Sequence, residues 1–130
     1  MKLAFVSAAL LWTSLSLAVD GVRDNETLQR IAQGSDIVVL DVYAEWCGAC
    51  QKLHPKVVQL DQEFAKDKTT LRVLQADADN SDEKWINKDL KIKLLPTVIQ
   101  FKKDKDGIYK EVRRKIGDMS FKSLKAFALK

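Results

Sequence analysis

Cysteine and histidine are nearly absent from this chain. Its 130 residues hold two cysteines, both in Cys47-Gly48-Ala49-Cys50, and one histidine, His54. A structural zinc site takes four ligands, and with no second cysteine pair that set is missing, so no metal is expected. A disulfide closing so short a ring restrains little chain entropy, so as a staple the pair is poorly placed. Two prolines and five glycines, none clustered, leave no linker, and no internal repeat or low-complexity segment appears. Excess charge is also lacking: the formal net charge is +4, with acids spread among the bases, which does not argue for nucleic acid. The locally basic run from Lys102 to Lys115 is interrupted by Asp104, Asp106 and Glu111 and reads as a solvated hairpin.

The first residues carry a different signal. Met1-Lys2 supplies a positive charge, Leu3 to Leu17 is apolar apart from serine and threonine, and Ser16-Leu17-Ala18 places small residues where a signal peptidase reads. This three-part pattern predicts a secretory signal over residues 1–18, cleaved near Ala18, and a mature domain over 19–130. The apolar run is at the short end for spanning a bilayer, and no basic cluster follows it. A retained anchor is the alternative. After cleavage no stable membrane insertion is expected, and export, periplasmic or secreted, is the implied location. Composition gives no sign of an oligomer, so a monomer is the default.

Hydrophobic spacing orders the mature chain. Asp24 can cap a helix with Leu28, Ile31 and Ala32 on one face, ended by Gly34. Ile37 to Tyr43 is a β-branched and aromatic run, the mark of a strand covered on both sides. From Cys47 to about Lys66, Leu53, Val57, Leu60 and Phe64 form one helical stripe with Pro55 inside it, which predicts a kink. Leu71 to Ala76 reads as a second buried strand. Asn80 and Glu83 form a capping-box pattern opening a helix through about Leu90, with Trp85 inward. Thr97 to Phe101 and Ile108 to Ile116 flank a turn at Asp106-Gly107, and Phe121, Leu124, Phe127 and Ala128 line a last helix. Strands separated by helices call for parallel pairing, with the terminal hairpin as an antiparallel edge. The predicted fold is α/β, one central mixed sheet with helices on both faces.

Chemistry concentrates where the first long strand meets the next helix. Cys47 falls at that helix start, where free backbone N–H groups and the helix dipole favour a thiolate. An ordinary thiol, with a pKa of about 8.5, is only roughly 3% ionised at pH 7. Cys50, one turn further in, is better shielded. The asymmetry makes Cys47 the residue that attacks a partner's disulfide and Cys50 the one that later attacks Cys47. Asp41 sits among Val38, Val39, Leu40 and Val42. A buried carboxylate has a raised pKa, which suits it to accept the proton of Cys50. Trp46, beside Cys47, is read as shielding the site and offering an apolar contact. His54, two turns along the helix, is read as exposed and not catalytic, and Glu45 as a solvated loop residue.

The segment Asp41-Val42-Tyr43-Ala44-Glu45-Trp46-Cys47-Gly48-Ala49-Cys50 resembles the active-site segment of the thioredoxin family. Pro55 falls where that family kinks its helix, Leu95-Pro96-Thr97 resembles its cis-proline loop, and Gly117 matches the glycine lining its substrate groove. The resemblance covers the mature chain. It implies the thioredoxin fold, Cys47 as nucleophile, Cys50 as resolving cysteine and Asp41 as buried proton acceptor. It also implies a cis Pro96 facing the disulfide and a Leu95 backbone that pairs with an extended partner segment. No cofactor is implied.

Departures from the family refine the expectation. Gly48-Ala49 stands between the cysteines instead of the Gly-Pro of many cytosolic members or the pair ending in histidine of oxidising members, so a more reducing couple is expected. Tyr43 replaces a common tryptophan. The lysine often found near the buried aspartate is read as Val73 here, with Arg72 on the opposite face, so Asp41 is expected to be raised further. The pattern is especially similar to the extracytoplasmic thioredoxin domain of bacterial membrane thiol:disulfide interchange proteins. That implies a reductant of protein disulfides, supplied by a membrane-linked or thiol electron donor. An oxidase or isomerase in a secretory compartment, and a redox-silent binding module, are the alternatives.

Overall fold

A computed structural model describes residues 18–130; the expected signal segment lies outside the described residues, apart from its last residue. The element order is β1 (Asp20–Gly21), α1 (Asn25–Ala32), β2 (Ile37–Tyr43), α2 (Gly48–Glu63), β3 (Leu71–Asp77), a π-helical turn (Trp85–Asp89), β4 (Thr97–Lys103), β5 (Tyr109–Ile116) and α3 (Phe121–Leu129). Asp24 caps α1 as expected, its Oδ1 accepting from the Thr27 N–H at 2.7 Å. Among the described residues, no helix is long and apolar enough to cross a membrane.

The five strands form one sheet in the order β1-β3-β2-β4-β5. β1 and β2 pair with β3 in parallel, and β4 is antiparallel to β2 and to β5. This corrects the expectation that only the terminal hairpin runs antiparallel. The segment 78–96 between β3 and β4 does not return along the sheet as a parallel crossover would, so the chain enters β4 from the end where β3 left it and runs antiparallel to β2. The predicted helix to Leu90 is reduced to the π-helical turn, and its cap is Asp82, not Asn80: the Asp82 Oδ1 accepts from the Trp85 N–H at 2.7 Å. Two-residue β1 had no sequence signal.

Alternation along β2 sends its side chains to two cores. Val38, Leu40 and Val42 join Leu28, Ala32, Leu74, Trp85, Ile86 and Ile99 under α1 and the π turn. Val39 joins Leu53, Val57, Leu60, Val73, Val98, Leu124 and Ala128 under α2 and α3. The same parity points Asp41 toward α2. On the edge, Gln100 pairs with Arg113 and Phe101 with Glu111, so Val112 is the extra residue of a bulge in β5.

Candidate redox-active site

Cys47 is the N-cap of α2 and is disulfide-bonded to Cys50, with the Cα atoms 5.2 Å apart. The sequence forces this placement: β2 ends at Tyr43, and the Cys47 N–H donates to the Ala44 carbonyl at 3.2 Å, tightening the turn into the helix. The Cys47 Sγ accepts the Cys50 N–H at 3.2 Å, so a backbone donor of the first turn faces this sulfur. Cys47 is 7% exposed and Cys50 3%. Gly48 is exposed, and Ala49 packs with Tyr43 and Leu95 against the Ala44, Cys47 and Cys50 cluster.

Two cavities flank the disulfide. An outer groove of about 510 Å³ is lined by Trp46, Cys47, Asp79, Ile92, Leu94 and Leu95, among others, but not by Cys50. An inner one of about 370 Å³ is lined by Asp41, Tyr43, Glu45, Cys50, His54 and Gln75, among others, but not by Cys47. Cys47 thus lines one cavity, and Cys50 lines the other together with Asp41.

Trp46 is 72% exposed and held by its indole N–H, which donates to Asp79 Oδ2 at 2.8 Å. Leu94, 61% exposed, adds a second apolar side chain to the groove. The Leu95–Pro96 bond is cis. Gly117 lies beyond it at φ +92°, a conformation that favours glycine, and its N–H donates to the Pro96 carbonyl at 2.9 Å. The loops carrying Pro96 and Gly117 are thereby joined at the end of β4 and β5.

Asp41 is 1% exposed, and its carboxyl is pushed up from 3.8 to about 6. Burial is the dominant cause, and a hydrogen bond from Gln75 opposes it. Gln75 Nε2 donates to Asp41 Oδ2 at 2.9 Å and lies 3.2 Å from His54 Nδ1. Here the sequence reading is corrected. Val73 pairs with Val39, whereas the residue opposite Asp41 is Gln75, two positions further on. Sequence periodicity gives each strand's faces but not the register between strands, so Gln75 was missed. His54 is exposed as expected, yet it reaches the carboxyl through Gln75. Asp79 was missed as well, because nothing in the sequence ties it to Trp46. Tyr43, on the same wall, has its hydroxyl raised by burial and then by the carboxylates of Asp77, Glu45 and Asp41. Among the described residues, no group of three or more His, Cys, Asp or Glu side chains is arranged to hold a metal ion.

A five-stranded mixed sheet with a Cys-x-x-Cys at a helix start, a cis-proline loop and a buried carboxyl behind the second sulfur defines a thioredoxin-fold protein. The chain belongs to the thioredoxin family, whose profile matches residues 19–129. It is 41% identical over 80 residues to the chloroplastic thioredoxin F of Oryza sativa subsp. japonica, covering 61% of this chain and 38% of that protein. It is 38% identical over 91 residues to the chloroplastic thioredoxin F2 of Arabidopsis thaliana, covering 68% of this chain and 45% of that one. The chain therefore spans less than half the length of these two relatives. Among solved structures, a mutant thioredoxin from Halobacterium salinarum NRC-1 superposes with a TM-score of 0.68 at 26% identity, over 86% of this chain and 88% of that one.

Proposed function

We propose that this protein is a thiol–disulfide oxidoreductase that reduces disulfides of protein partners outside the cytoplasm. The observation that carries the reading is the division of the two cysteines between the two cavities, Cys47 at the outer groove and Cys50 in the cavity that Asp41 also lines.

In the reduced protein the Cys47 thiolate attacks one sulfur of a partner disulfide docked along the groove. A Cys47–partner bond forms, and the partner's other sulfur leaves as a thiolate. Asp41 takes the Cys50 proton across the inner cavity, and the Cys50 thiolate attacks the Cys47 Sγ. The partner sulfur leaves and is protonated, and the protein keeps the Cys47–Cys50 disulfide. Two electrons pass from the pair to the partner. Trp46 and Leu95 flank the docked segment, with the Leu95 backbone placed to pair with it; Pro96 offers no N–H that would compete for sulfur, and Gly117, bonded to the Pro96 carbonyl, leaves open space beside that loop. A thiol or membrane-linked donor then restores the pair, and no cofactor takes part.

Export is supported by the pattern of residues 1–18, a basic start, an apolar stretch and small residues before Val19. Reducing direction is supported by Gly48-Ala49, which places no imidazole beside the Cys47 thiolate to stabilise the reduced form.

The test is insulin reduction with dithiothreitol, followed by turbidity. The protein accelerates precipitation and its Cys47→Ser variant does not; equal rates would make the fold a redox-silent binding module. Equilibration with glutathione gives the direction: a potential near roughly −270 mV fits a reductant, and one between roughly −180 and −120 mV an oxidase or isomerase.

A further inference from the structure

The geometry points to Gln75 and His54 as positioning residues for the buried carboxyl: the exposed imidazole holds the Gln75 amide with its nitrogen toward Asp41, and so sets the protonation of a group it does not touch. This deepens the redox reading of the site and rests on it for its functional consequence, but the coupling itself is a property of the folded chain.

A primary amide nitrogen has two hydrogens. Gln75 Nε2 lies 2.9 Å from Asp41 Oδ2 and 3.2 Å from His54 Nδ1, so one hydrogen serves each. An ionised carboxylate and an unprotonated Nδ1 are both acceptors, and both demand the amide nitrogen. Turning the amide over would set its oxygen against two lone pairs. This fixes His54 as the tautomer with its proton on Nε2, the nitrogen left free by Gln75. Protonating Nδ1 reverses the demand: the amide oxygen must turn to Nδ1, and Asp41 then loses the Gln75 donor unless it carries a proton itself.

The three residues form a line from interior to solvent: Asp41 is 1% exposed, Gln75 7%, and His54 lies on the outer face of α2. They come from β2, β3 and α2, which the fold brings together around the inner cavity. The other titratable groups facing that cavity are Tyr43 of β2, Glu45 of the following loop and Cys50 of α2. From β4, Val98 stands opposite Asp41 in register, and on the β1 side Asp20 is 3.6 Å from Arg72. Among the described residues, no lysine or arginine therefore lines the cavity to hold the carboxylate, and Gln75 is the donor that does so.

The experiment is a carboxyl-detected NMR titration of Asp41 in the disulfide form, where neither thiol titrates, for the natural chain, His54→Ala, Gln75→Leu and the double variant. His54 is exposed, so His54→Ala keeps the fold. The expected result is a rise of the Asp41 midpoint by about half a pH unit or more in His54→Ala, from loss of the held donor. A larger rise is expected in Gln75→Leu, and none on adding His54→Ala to Gln75→Leu. Nitrogen shifts of His54 should report the Nε2–H tautomer in the natural chain. An unmoved or lowered midpoint in His54→Ala overturns the inference. So does an equal His54 effect in both backgrounds, which would mean charge acting through space. Because the readout needs no partner, coupling without insulin reduction would count against the redox reading alone, and insulin reduction without coupling against this inference alone.

Discussion

Gln75 stands directly across the β2–β3 ladder from Asp41 and donates its side-chain amide to that carboxylate at 2.9 Å. A neutral amide occupies the place where a cation would hold the carboxylate ionised, so burial dominates and the carboxyl is raised to about 6.

This makes Asp41 a stability switch with a definite sign. Its folded value of about 6 exceeds the 3.8 of the free group, so between them the folded chain binds more protons than the unfolded one. The contribution is fully present below 3.8 and is lost as pH rises through about 6. Asp41→Asn removes the burden of an ionised buried carboxylate. It is expected to be more stable than the natural chain by about 3 kcal/mol at pH 8, the gain fading toward pH 4. Urea unfolding at the two pH values checks this, and a gain independent of pH would contradict it. The same variant should slow release of a trapped mixed disulfide, since Cys50 loses its proton acceptor.

Trp46→Phe separates docking from folding. The indole is exposed and its bond to Asp79 lies at the surface, so stability should change by no more than about 0.5 kcal/mol. The KM for a protein disulfide should rise several-fold, while reduction of a small aromatic disulfide should be nearly unchanged. Parallel kinetics with the two substrates would show this.

Gly117→Ala tests backbone strain alone. A methyl group there would meet nothing within 4 Å, but φ is +92°. The expected loss is about 1–2 kcal/mol in thermal unfolding, with the N–H bond to Pro96 retained. A loss below about 0.3 kcal/mol would mean the loop relaxes freely.

Leu53→Ala tests the packing that seats the disulfide helix. Leu53 is wholly buried against the sheet, three residues past Cys50. Truncation should cost about 3 kcal/mol, measured by urea unfolding.

Strands β2 and β3, the apolar stripe of α2 and its start at Cys47 were legible because each is set by local periodicity and by residues adjacent in sequence. Asp41 stood out because a carboxylate in a run such as Val38 to Val42 needs a reason. What was not legible is set by pairing between distant segments. The direction of β4 depends on the end of the sheet to which the segment 78–96 brings the chain, and β1 exists only because residues 20 and 21 meet β3. Gln75 becomes Asp41's partner only through a register between strands 34 residues apart, and the same register displaces Val73. The tie of Trp46 to Asp79 is of the same kind, spanning 33 residues.

The central claim is that the sulfur at the groove is the reactive one and the sulfur beside Asp41 is sheltered. The most direct measurement is alkylation of the reduced protein by iodoacetamide at neutral pH, followed by peptide mapping over time. The account predicts that Cys47 is modified first and faster than free cysteine, with Cys50 lagging behind. Faster modification of Cys50, or no reaction at Cys47 above the rate of free cysteine, would contradict it.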